Sequence, residues 1–200
     1  MRIALFDYGA GNLHSLAKAL EGAGAGVTIT PEWDEALAAD ALVLPGVGAF
    51  GHAAAALPDD RSRLREALEG GLPCLGICLG MQLFFEDSDE AAGSGIGLVP
   101  GRVVRLEAEV VPHMGWNDVE TGSDPLFDGI DALVAYYANS YVCRPDDDAV
   151  VIARSSYDGR SFAAGVRTAN TWGVQFHPEK SSADGRRLIA NFVRLAEEAR

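Results

Sequence analysis

The sequence predicts an α/β fold: a mostly parallel central sheet with helices on both faces, plus a smaller antiparallel β portion in the second half. Two observations lead to this prediction. In the first half, short apolar segments alternate with amphipathic segments across short loops, which is typical of parallel strands joined by helices. From Gly93 onward, β-like segments follow one another without helices between them. This second pattern favours antiparallel pairing.

The first half contains four predicted strands, at residues 2–7, 27–30, 41–44 and 72–78. Predicted helices begin at Asn12, just after Gly51 and near Asp60. In a parallel sheet, sites form beyond the carboxyl ends of the strands. We therefore expect three loops to meet at one edge of the sheet: Tyr8–Asn12, Pro45–Gly51 and Cys78–Gln82.

The second half is predicted to be mainly β structure that ends in one helix. Predicted β segments lie at residues 101–109, 133–142 and 150–155, with a hairpin of 162–167 and 171–177 through 168–170. An amphipathic helix follows over about Asp184–Ala199. No repeat or linker interrupts the sequence, so residues 1–200 are predicted to form a single domain.

Composition narrows the classes of function. The chain has 200 residues, 48% of them hydrophobic, which suits one ordinary domain with a sizeable core. A net charge of −13 disfavours nucleic-acid binding. No apolar run approaches a membrane span, and the first residues resemble a strand and not a secretory signal. We therefore expect a cytoplasmic protein with no membrane partner.

The three cysteines fit a reducing cytoplasm with free thiols. Cys74 and Cys78 lie on one predicted strand without a second Cys/His pair, which disfavours a zinc site. We predict no metal and no cofactor.

The central motif is Gly76-x-Cys78-x-Gly80, at the end of a predicted strand and the start of a helix. This is the cysteine form of the nucleophile elbow, in which a sharp turn exposes the side chain. Side chains at either glycine would crowd that turn. The positive end of the helix dipole favours a thiolate, and the free N–H groups there suit an oxyanion. A buried structural cysteine is the alternative interpretation.

The loop Pro45-Gly46-Val47-Gly48 is predicted to donate main-chain hydrogen bonds. It lacks the lysine and Ser/Thr of a phosphate-binding P-loop and the spacing of a dinucleotide fingerprint. The N–H of Gly48 could pair with that of Leu79 to form an oxyanion hole. A plain turn after the strand is the alternative.

A second motif, His177-Pro178-Glu179, follows a predicted strand near the far end of the chain. A cysteine nucleophile needs a base, and the base needs a group that orients it. His177 and Glu179 supply both roles. The motif is weak by itself, but together with the elbow it predicts a Cys78–His177–Glu179 triad.

Both motifs resemble those of class I (triad-type) glutamine amidotransferases, which implies a flavodoxin-like α/β fold and glutaminase activity. Four further stretches are similar to the glutamine amidotransferase subunits of imidazole glycerol phosphate synthase, from histidine biosynthesis. They are residues 7–13 (DYGAGNL), 45–50 (PGVGAF), 112–117 (PHMGWN) and 177–181 (HPEKS). The resemblance covers nearly the whole chain.

The resemblance implies a role for each matching residue. Cys78 is the expected nucleophile, His177 the base and then the acid, and Glu179 the group that orients His177. Gln82 and Glu90 are expected to hold the substrate glutamine, with Glu90 suited to its ammonium group. Main-chain atoms of Ser140 and Tyr141 are expected to line the same pocket.

The resemblance also implies a partner, a (β/α)8-barrel cyclase subunit that receives the ammonia within a heterodimer. Asn12, Trp116 and Lys180 match interface positions. Lys180 is notable in its own right because only Lys18 and Lys180 are lysines among 16 basic residues. Asn139 departs from the family pattern, where a histidine is often found, which puts any coupling role of that position in doubt.

Three alternatives remain open at the sequence level. One is a glutaminase that serves another synthase, such as those making anthranilate or pyridoxal phosphate. A second is a cysteine peptidase or stress-response protein of similar build, and the third is a binding subunit without catalysis. The stretches 45–48 and 114–116 argue against the first, Gln82 and the His177–Glu179 spacing against the second, and the complete triad against the third.

Overall fold

The computed structural model describes residues 1–9, 13–46 and 48–199. The strands within these ranges are β1 (Arg2–Phe6), β2 (Gly26–Thr30), β3 (Ala41–Leu44), β4 (Cys74–Ile77), β5 (Asp87–Ser88), β6 (Gly101–Arg105), β7 (His113–Thr121), β8 (Leu133–Asn139), β9 (Tyr141–Pro145), β10 (Val151–Tyr157), β11 (Arg160–Thr168) and β12 (Thr171–Val174). The helices are α1 (His14–Gly22), α2 (Trp33–Leu37), α3 (Phe50–Ala55), α4 (Ser62–Glu69), α5 (Leu79–Gln82) and α6 (Ser182–Glu198). None of these helices is long and apolar enough to cross a membrane.

The large sheet has the strand order β2-β1-β3-β4-β12-β11-β10-β7-β8. Pairing is parallel from β2 through β12 and antiparallel from β12 through β8. The predicted α/β class is thus confirmed, and most of the antiparallel strands extend the main sheet. Strand β12 lies beside β4 at the junction, so the far end of the chain meets the elbow there.

A separate three-stranded sheet has the order β5-β6-β9. The segment predicted as one strand over 133–142 is in fact two, β8 in the large sheet and β9 in the small one. Ser140 separates them. Alternating hydrophobicity continues across this break because both strands have a buried face, so the pattern alone could not reveal it.

Helices cover both faces of the large sheet. Along β1, Ile3 and Leu5 face one apolar layer while Ala4 and Phe6 face the other, as the two-residue period of a strand requires. The first layer contains apolar residues of α1 and α6, and the second contains those of α3 and α4. This arrangement confirms the prediction of a doubly covered sheet.

Two local features differ in how well the sequence predicted them. The hairpin through 168–170 is confirmed, with Thr168 paired to Thr171. Helix α2 was not predicted, because five residues are too few to show a helical period. It is held by tertiary contacts: Trp33 stacks on Phe6 with ring centroids 3.8 Å apart, and its indole N–H donates to Ala56 O at 2.8 Å.

Candidate active site

Cys78 occupies a strained turn between β4 and α5. Its backbone has φ +47° and ψ −101°, a region that residues other than glycine rarely adopt. Two main-chain hydrogen bonds hold the turn: Cys78 N–H donates to Val174 O at 2.7 Å, and Gln82 N–H donates to Cys78 O at 3.1 Å. The predicted nucleophile elbow is therefore present.

The flanking glycines are required by close packing. A β-carbon on Gly76 would lie 2.7 Å from the carbonyl carbon and oxygen of Gly80. A β-carbon on Gly80 would lie 2.0 Å from Leu44 O on the neighbouring strand. Both distances are far inside van der Waals contact, which confirms that side chains at these positions would crowd the elbow.

His177 and Glu179 lie beside Cys78 because β12 runs parallel to β4 and ends at the same edge. The Nδ1 atom of His177 is 2.9 Å from Glu179 Oε1, and the imidazole also forms a hydrogen bond with the Cys78 side chain. Both the His177 and the Glu179 side chains are almost fully buried. The structure thus brings together the three residues predicted as a triad.

The electrostatics of the pair favour a charged imidazole. Burial lowers the pKa of His177, but the hydrogen bonds and negative charges of Cys78 and Glu179 outweigh burial and raise it to about 9. His177 is therefore protonated at neutral pH. A cation bonded to the sulfur is the environment in which a thiolate is stable.

The other two cysteines lie in different surroundings. Cys74 and Cys143 are free and buried, and burial raises the pKa of both thiols well above the ordinary value. Both thiols stay protonated at neutral pH and are poor nucleophiles. Of the chain's three cysteines, all within the described ranges, only Cys78 lies at the mouth of a cavity with a histidine beside it.

A cavity of about 200 Å³ opens above Cys78. The residues predicted to bind substrate or to form the oxyanion hole all line it, and the lining consists of Gly46, Gly48, Cys78, Leu79, Gln82, Glu90 and residues 138–141. The structure therefore places Gln82, Glu90, Ser140 and Tyr141 around Cys78, in the pocket that the family resemblance implied. Their individual roles remain predictions.

The two side chains predicted to hold glutamine are themselves fixed by the protein. The amide nitrogen of Gln82 donates to Tyr141 O at 3.2 Å and to Gln175 Oε1 at 3.4 Å. Glu90 Oε2 accepts a hydrogen bond from Phe50 N at 3.0 Å, at the start of α3. Glu90 therefore ties the loop before α3 to the cavity wall.

The predicted oxyanion donors flank Cys78. Leu79 begins α5 directly after Cys78, and Gly48 has φ +106°, a conformation open to glycine. Val47 lies outside the described residues. Gly46 was not predicted as a site residue, although a β-carbon there would lie 2.9 Å from Cys78 Cβ and 3.0 Å from His177 Cε1. The sequence signal that could have indicated it is the glycine itself, directly after the strand end and in the same loop as Gly48.

Asn139, the departure from the family pattern, supports the cavity wall. It is buried, and its Nδ2 donates to Tyr141 O at 3.0 Å. The same carbonyl accepts the hydrogen bond from Gln82. Asn139 therefore fixes the main chain of Tyr141, one of the predicted substrate contacts.

Two of the three predicted interface residues lie on an exposed surface next to this cavity. Trp116 on β7 is 54% exposed and packs edge-on against Tyr136 of β8, with ring centroids 6.1 Å apart. Lys180 Nζ lies 5.7 Å from the same Tyr136 ring. Asn12, the third, lies outside the described residues.

Substitution of Glu179 by glutamine is expected to weaken catalysis and to shift its pH dependence. Without the carboxylate, the pKa of His177 falls from about 9, because one of the groups that raise it has lost its charge. The alkaline limb of the kcat/KM profile should therefore move to lower pH, with a rate loss on the order of 10²–10⁴-fold. Steady-state kinetics from pH 6 to 10 measure both effects. An unchanged alkaline limb would show that Glu179 does not act on His177.

Comparison with known proteins now decides the family. Residues 4–196 match the family model described as glutamine amidotransferase class-I. The chain belongs to this family. It is therefore a glutamine amidotransferase enzyme, with the glutaminase activity that defines the class.

Individual proteins of known type show which glutamine amidotransferases this chain is similar to. The imidazole glycerol phosphate synthase subunit HisH of Natronomonas pharaonis is 46% identical, over 96% of this chain and 93% of that protein. The HisH subunits of Halobacterium salinarum (45% identical, 96% and 92% covered) and Methanothermobacter thermautotrophicus (44%, 96% and 98%) are similar to the same degree. These identities confirm the resemblance that the four sequence stretches indicated.

Solved structures support the fold. A crystal structure of a glutamine amidotransferase superposes with a TM-score of 0.76 at 20% identity, covering 98% of this chain and 99% of that one. A chain from the structure of PurLQS from Thermotoga maritima also gives a TM-score of 0.76 at 20% identity, covering 96% and 97%. At such identities the likeness concerns the class I glutamine amidotransferase fold alone.

Proposed function

We propose that the chain is the glutaminase subunit of an imidazole glycerol phosphate synthase. It hydrolyses glutamine to glutamate and ammonia and passes the ammonia to a (β/α)8-barrel cyclase subunit. That partner makes imidazole glycerol phosphate and the aminoimidazole carboxamide ribonucleotide AICAR in histidine biosynthesis. The observation that carries the proposal is the hydrogen-bonded Cys78–His177–Glu179 set, at the cavity of a chain 46% identical to a HisH subunit.

The reaction follows from the charge state of the pair. The Cys78 thiolate attacks the side-chain amide carbon of glutamine, and the N–H groups of Gly48 and Leu79 hold the resulting oxyanion. Protonated His177 gives its proton to the departing nitrogen, which leaves as ammonia. A γ-glutamyl thioester remains on Cys78. His177, now neutral, takes a proton from water as the water attacks the thioester, and glutamate leaves as the thiolate re-forms.

The cavity lining suits the fixed part of the substrate. A glutamine in this cavity would present its α-ammonium group to the carboxylate of Glu90, whose Oε2 also accepts a hydrogen bond from Phe50 N. The side-chain oxygen of Gln82 is a hydrogen-bond acceptor for the same substrate. Main-chain atoms of Ser140 and Tyr141 complete the wall.

An exposed apolar surface next to the cavity supports the proposal that the chain binds a partner subunit. We call it the docking face: Met114 and Trp116 of β7, Val134 and Tyr136 of β8, and Lys180 beside them. Met114, Trp116 and Val134 are 65%, 54% and 40% exposed. Exposed aromatic and methionine side chains of this kind are enriched at protein interfaces.

The docking face is connected to the triad by a main-chain hydrogen bond and by the side-chain hydroxyl of Ser181. His177 N–H donates to Tyr136 O at 2.8 Å. The hydroxyl of buried Ser181 accepts from Tyr136 N at 2.9 Å and donates to His177 O at 2.6 Å. A partner that contacts the Tyr136 side chain therefore acts on β8, the strand to which the main chain of His177 is hydrogen-bonded. We infer that partner binding is transmitted to the triad by this route.

Glutamate release by the isolated chain and by its complex with the cyclase tests the proposed function. We expect slow basal hydrolysis and strong stimulation by the cyclase together with its nucleotide substrate. In the complex, glutamine should also replace added ammonium salt as the nitrogen source for imidazole glycerol phosphate. Stimulation by an unrelated synthase, or hydrolysis of peptides, would contradict the assignment.

Substitution of Trp116 by alanine is expected to weaken cyclase binding about 10- to 100-fold, as removal of an interface tryptophan often does. Basal hydrolysis by the isolated chain should change little, because Trp116 does not line the cavity. Ile29→Ala is the matched control: Ile29 is 47% exposed but lies on β2, at the opposite edge of the sheet. Titration calorimetry measures both affinities. Equal affinities for the two variants would exclude this docking face.

A further inference from the structure

Gln175 contacts the nucleophile from within the protein. It follows β12 and is fully buried, and its Nε2 donates a hydrogen bond to Cys78 Sγ at 3.4 Å. Its main chain is fixed as well, because Gln175 N–H donates to Ala164 O at 2.9 Å. A buried amide that donates to a nucleophilic sulfur calls for a role beyond packing, since nothing in the triad mechanism uses it.

The orientation of this amide is determined by a chain of hydrogen bonds. Tyr141 O can only accept, so the Gln82 side chain must direct its NH₂ group toward that carbonyl, 3.2 Å away. The same NH₂ group donates to Gln175 Oε1 at 3.4 Å. The side-chain oxygen of Gln175 therefore accepts a hydrogen bond from Gln82, and the NH₂ group of Gln175 points toward the sulfur of Cys78.

We propose that Gln175 is a positioning residue for Cys78: it holds the sulfur in its attacking orientation and stabilises the thiolate. This inference rests on the proposed role of Cys78 as the nucleophile. His177 stabilises the same thiolate. Two donors fix the rotation about the Cα–Cβ bond, which one donor alone leaves less restricted.

The same hydrogen bond acts at two points of the reaction. Before attack it favours the thiolate form of Cys78 over the thiol. During breakdown of the thioester the sulfur leaves as a thiolate, and the Gln175 donor stabilises the charge that returns to it. Removal of the donor therefore lowers the fraction of Cys78 that is thiolate before attack and leaves the charge that returns to the sulfur less stabilised. Gln82 lies on the cavity wall and orients Gln175. A substrate that contacts Gln82 therefore influences the position of the Cys78 sulfur through the side chain of Gln175.

Two variants separate a donor from a packing residue. Gln175→Leu removes the donor and keeps most of the volume. Gln175→Glu keeps the shape but places a carboxylate against the sulfur. Asn191→Leu is the control for loss of a buried amide: Asn191 is buried on α6, where it donates to Leu126 O and Asp128 O at 2.9 Å each, away from the elbow.

The test is the pH dependence of iodoacetamide alkylation at Cys78 in the full chain, with the modified peptide identified by mass. In Gln175→Leu we expect the midpoint of the alkylation curve to rise by about one pH unit, and in Gln175→Glu by more, because the effect is on thiolate charge. In the complex, kcat should fall about 10- to 100-fold with a smaller change in KM, as for loss of one hydrogen bond to a charged group. Asn191→Leu should keep the unaltered midpoint.

The outcomes distinguish this inference from the proposed function. If Cys78 is alkylated with an unaltered midpoint in both Gln175 variants, the inference is wrong and the triad stands. If Gln175→Leu does not fold, Gln175→Glu decides by the same measurement. If the alkylated cysteine is not Cys78, the proposed function itself fails. Cys74 and Cys143 do not confuse the result, because burial raises the pKa of both thiols well above the ordinary value and keeps them unreactive.

Discussion

Alanine in place of Cys78 is expected to abolish glutamine hydrolysis, with kcat lowered by about 10⁴-fold or more, as when other covalent hydrolases lose their nucleophile. The reason is the absence of a substitute: the other two cysteines are buried with protonated thiols. The fold should survive. Alanine keeps the β-carbon, and the hydrogen bonds that hold the turn belong to the main chain.

Two measurements check this expectation: glutamate release by the complex, and affinity for the cyclase, which should be unchanged. Cys74→Ala serves as the control because it removes a buried thiol from β4 without touching the cavity. It should cost some stability and keep the rate per folded molecule. If the Cys78 variant retained more than about one hundredth of the rate, hydrolysis would not pass through a Cys78 thioester.

The second large effect is expected for Gly80→Ala. The new methyl group would lie 2.0 Å from Leu44 O, a main-chain atom that cannot rotate away. Overpacking of this kind typically costs about 1–3 kcal/mol of unfolding free energy, and a collision with backbone belongs at or above the upper end. Any relief must move α5 away from β3. That movement displaces the Leu79 N–H from the oxyanion, so the residual folded enzyme should also lose activity.

Urea unfolding of the isolated chain, together with kcat of the complex, measures both parts of this prediction. Gly22→Ala is the matched control: Gly22 lies at the end of α1, and a β-carbon there meets nothing within 4 Å. That substitution should be neutral or slightly stabilising, since alanine favours helix. A Gly80 variant as stable and as active as the Gly22 variant would contradict the close packing on which the elbow depends.

The sequence predicted the elbow and the triad because their signals are local. Glycines lie two residues before and two residues after Cys78, and they mark a turn in which side chains at those two positions would clash. Pro178 fixes the turn between His177 and Glu179. The approach of His177 to Cys78 needed one further step, the pairing of β12 with β4. That pairing was not predicted, because the β segments after Gly93 indicated antiparallel neighbours, whereas β12 pairs parallel with β4.

Contacts made by side chains across the sheet could not be predicted in the same way. Gln175 appears in the sequence only as a polar residue in an apolar strand, and its link to Gln82 joins positions 93 residues apart. The division of one alternating segment into β8 and β9 at Ser140 likewise depends on tertiary pairing. Hydrophobic periodicity reports which face of a strand is buried, and does not report which sheet buries it.

Docking face and hydrophobic core were also hard to distinguish from sequence. The apolar stretch at 112–117 contains His113, which is buried between the rings of Tyr137 and Tyr157, and Met114 and Trp116, which are exposed. Only the side of β7 on which each residue lies separates the two groups. His113 lies on the core side, and Met114 and Trp116 lie on the other side, in the proposed docking face.

The most direct test of the glutaminase site is covalent labelling of the complex with 6-diazo-5-oxo-L-norleucine, a glutamine analogue whose diazoketone alkylates an activated thiolate that attacks it. A nucleophilic Cys78 in this cavity predicts a single adduct on its sulfur, prevented by excess glutamine and formed much more slowly in Glu179→Gln. An adduct on any other residue, or full glutaminase activity in protein labelled at Cys78, would contradict this site.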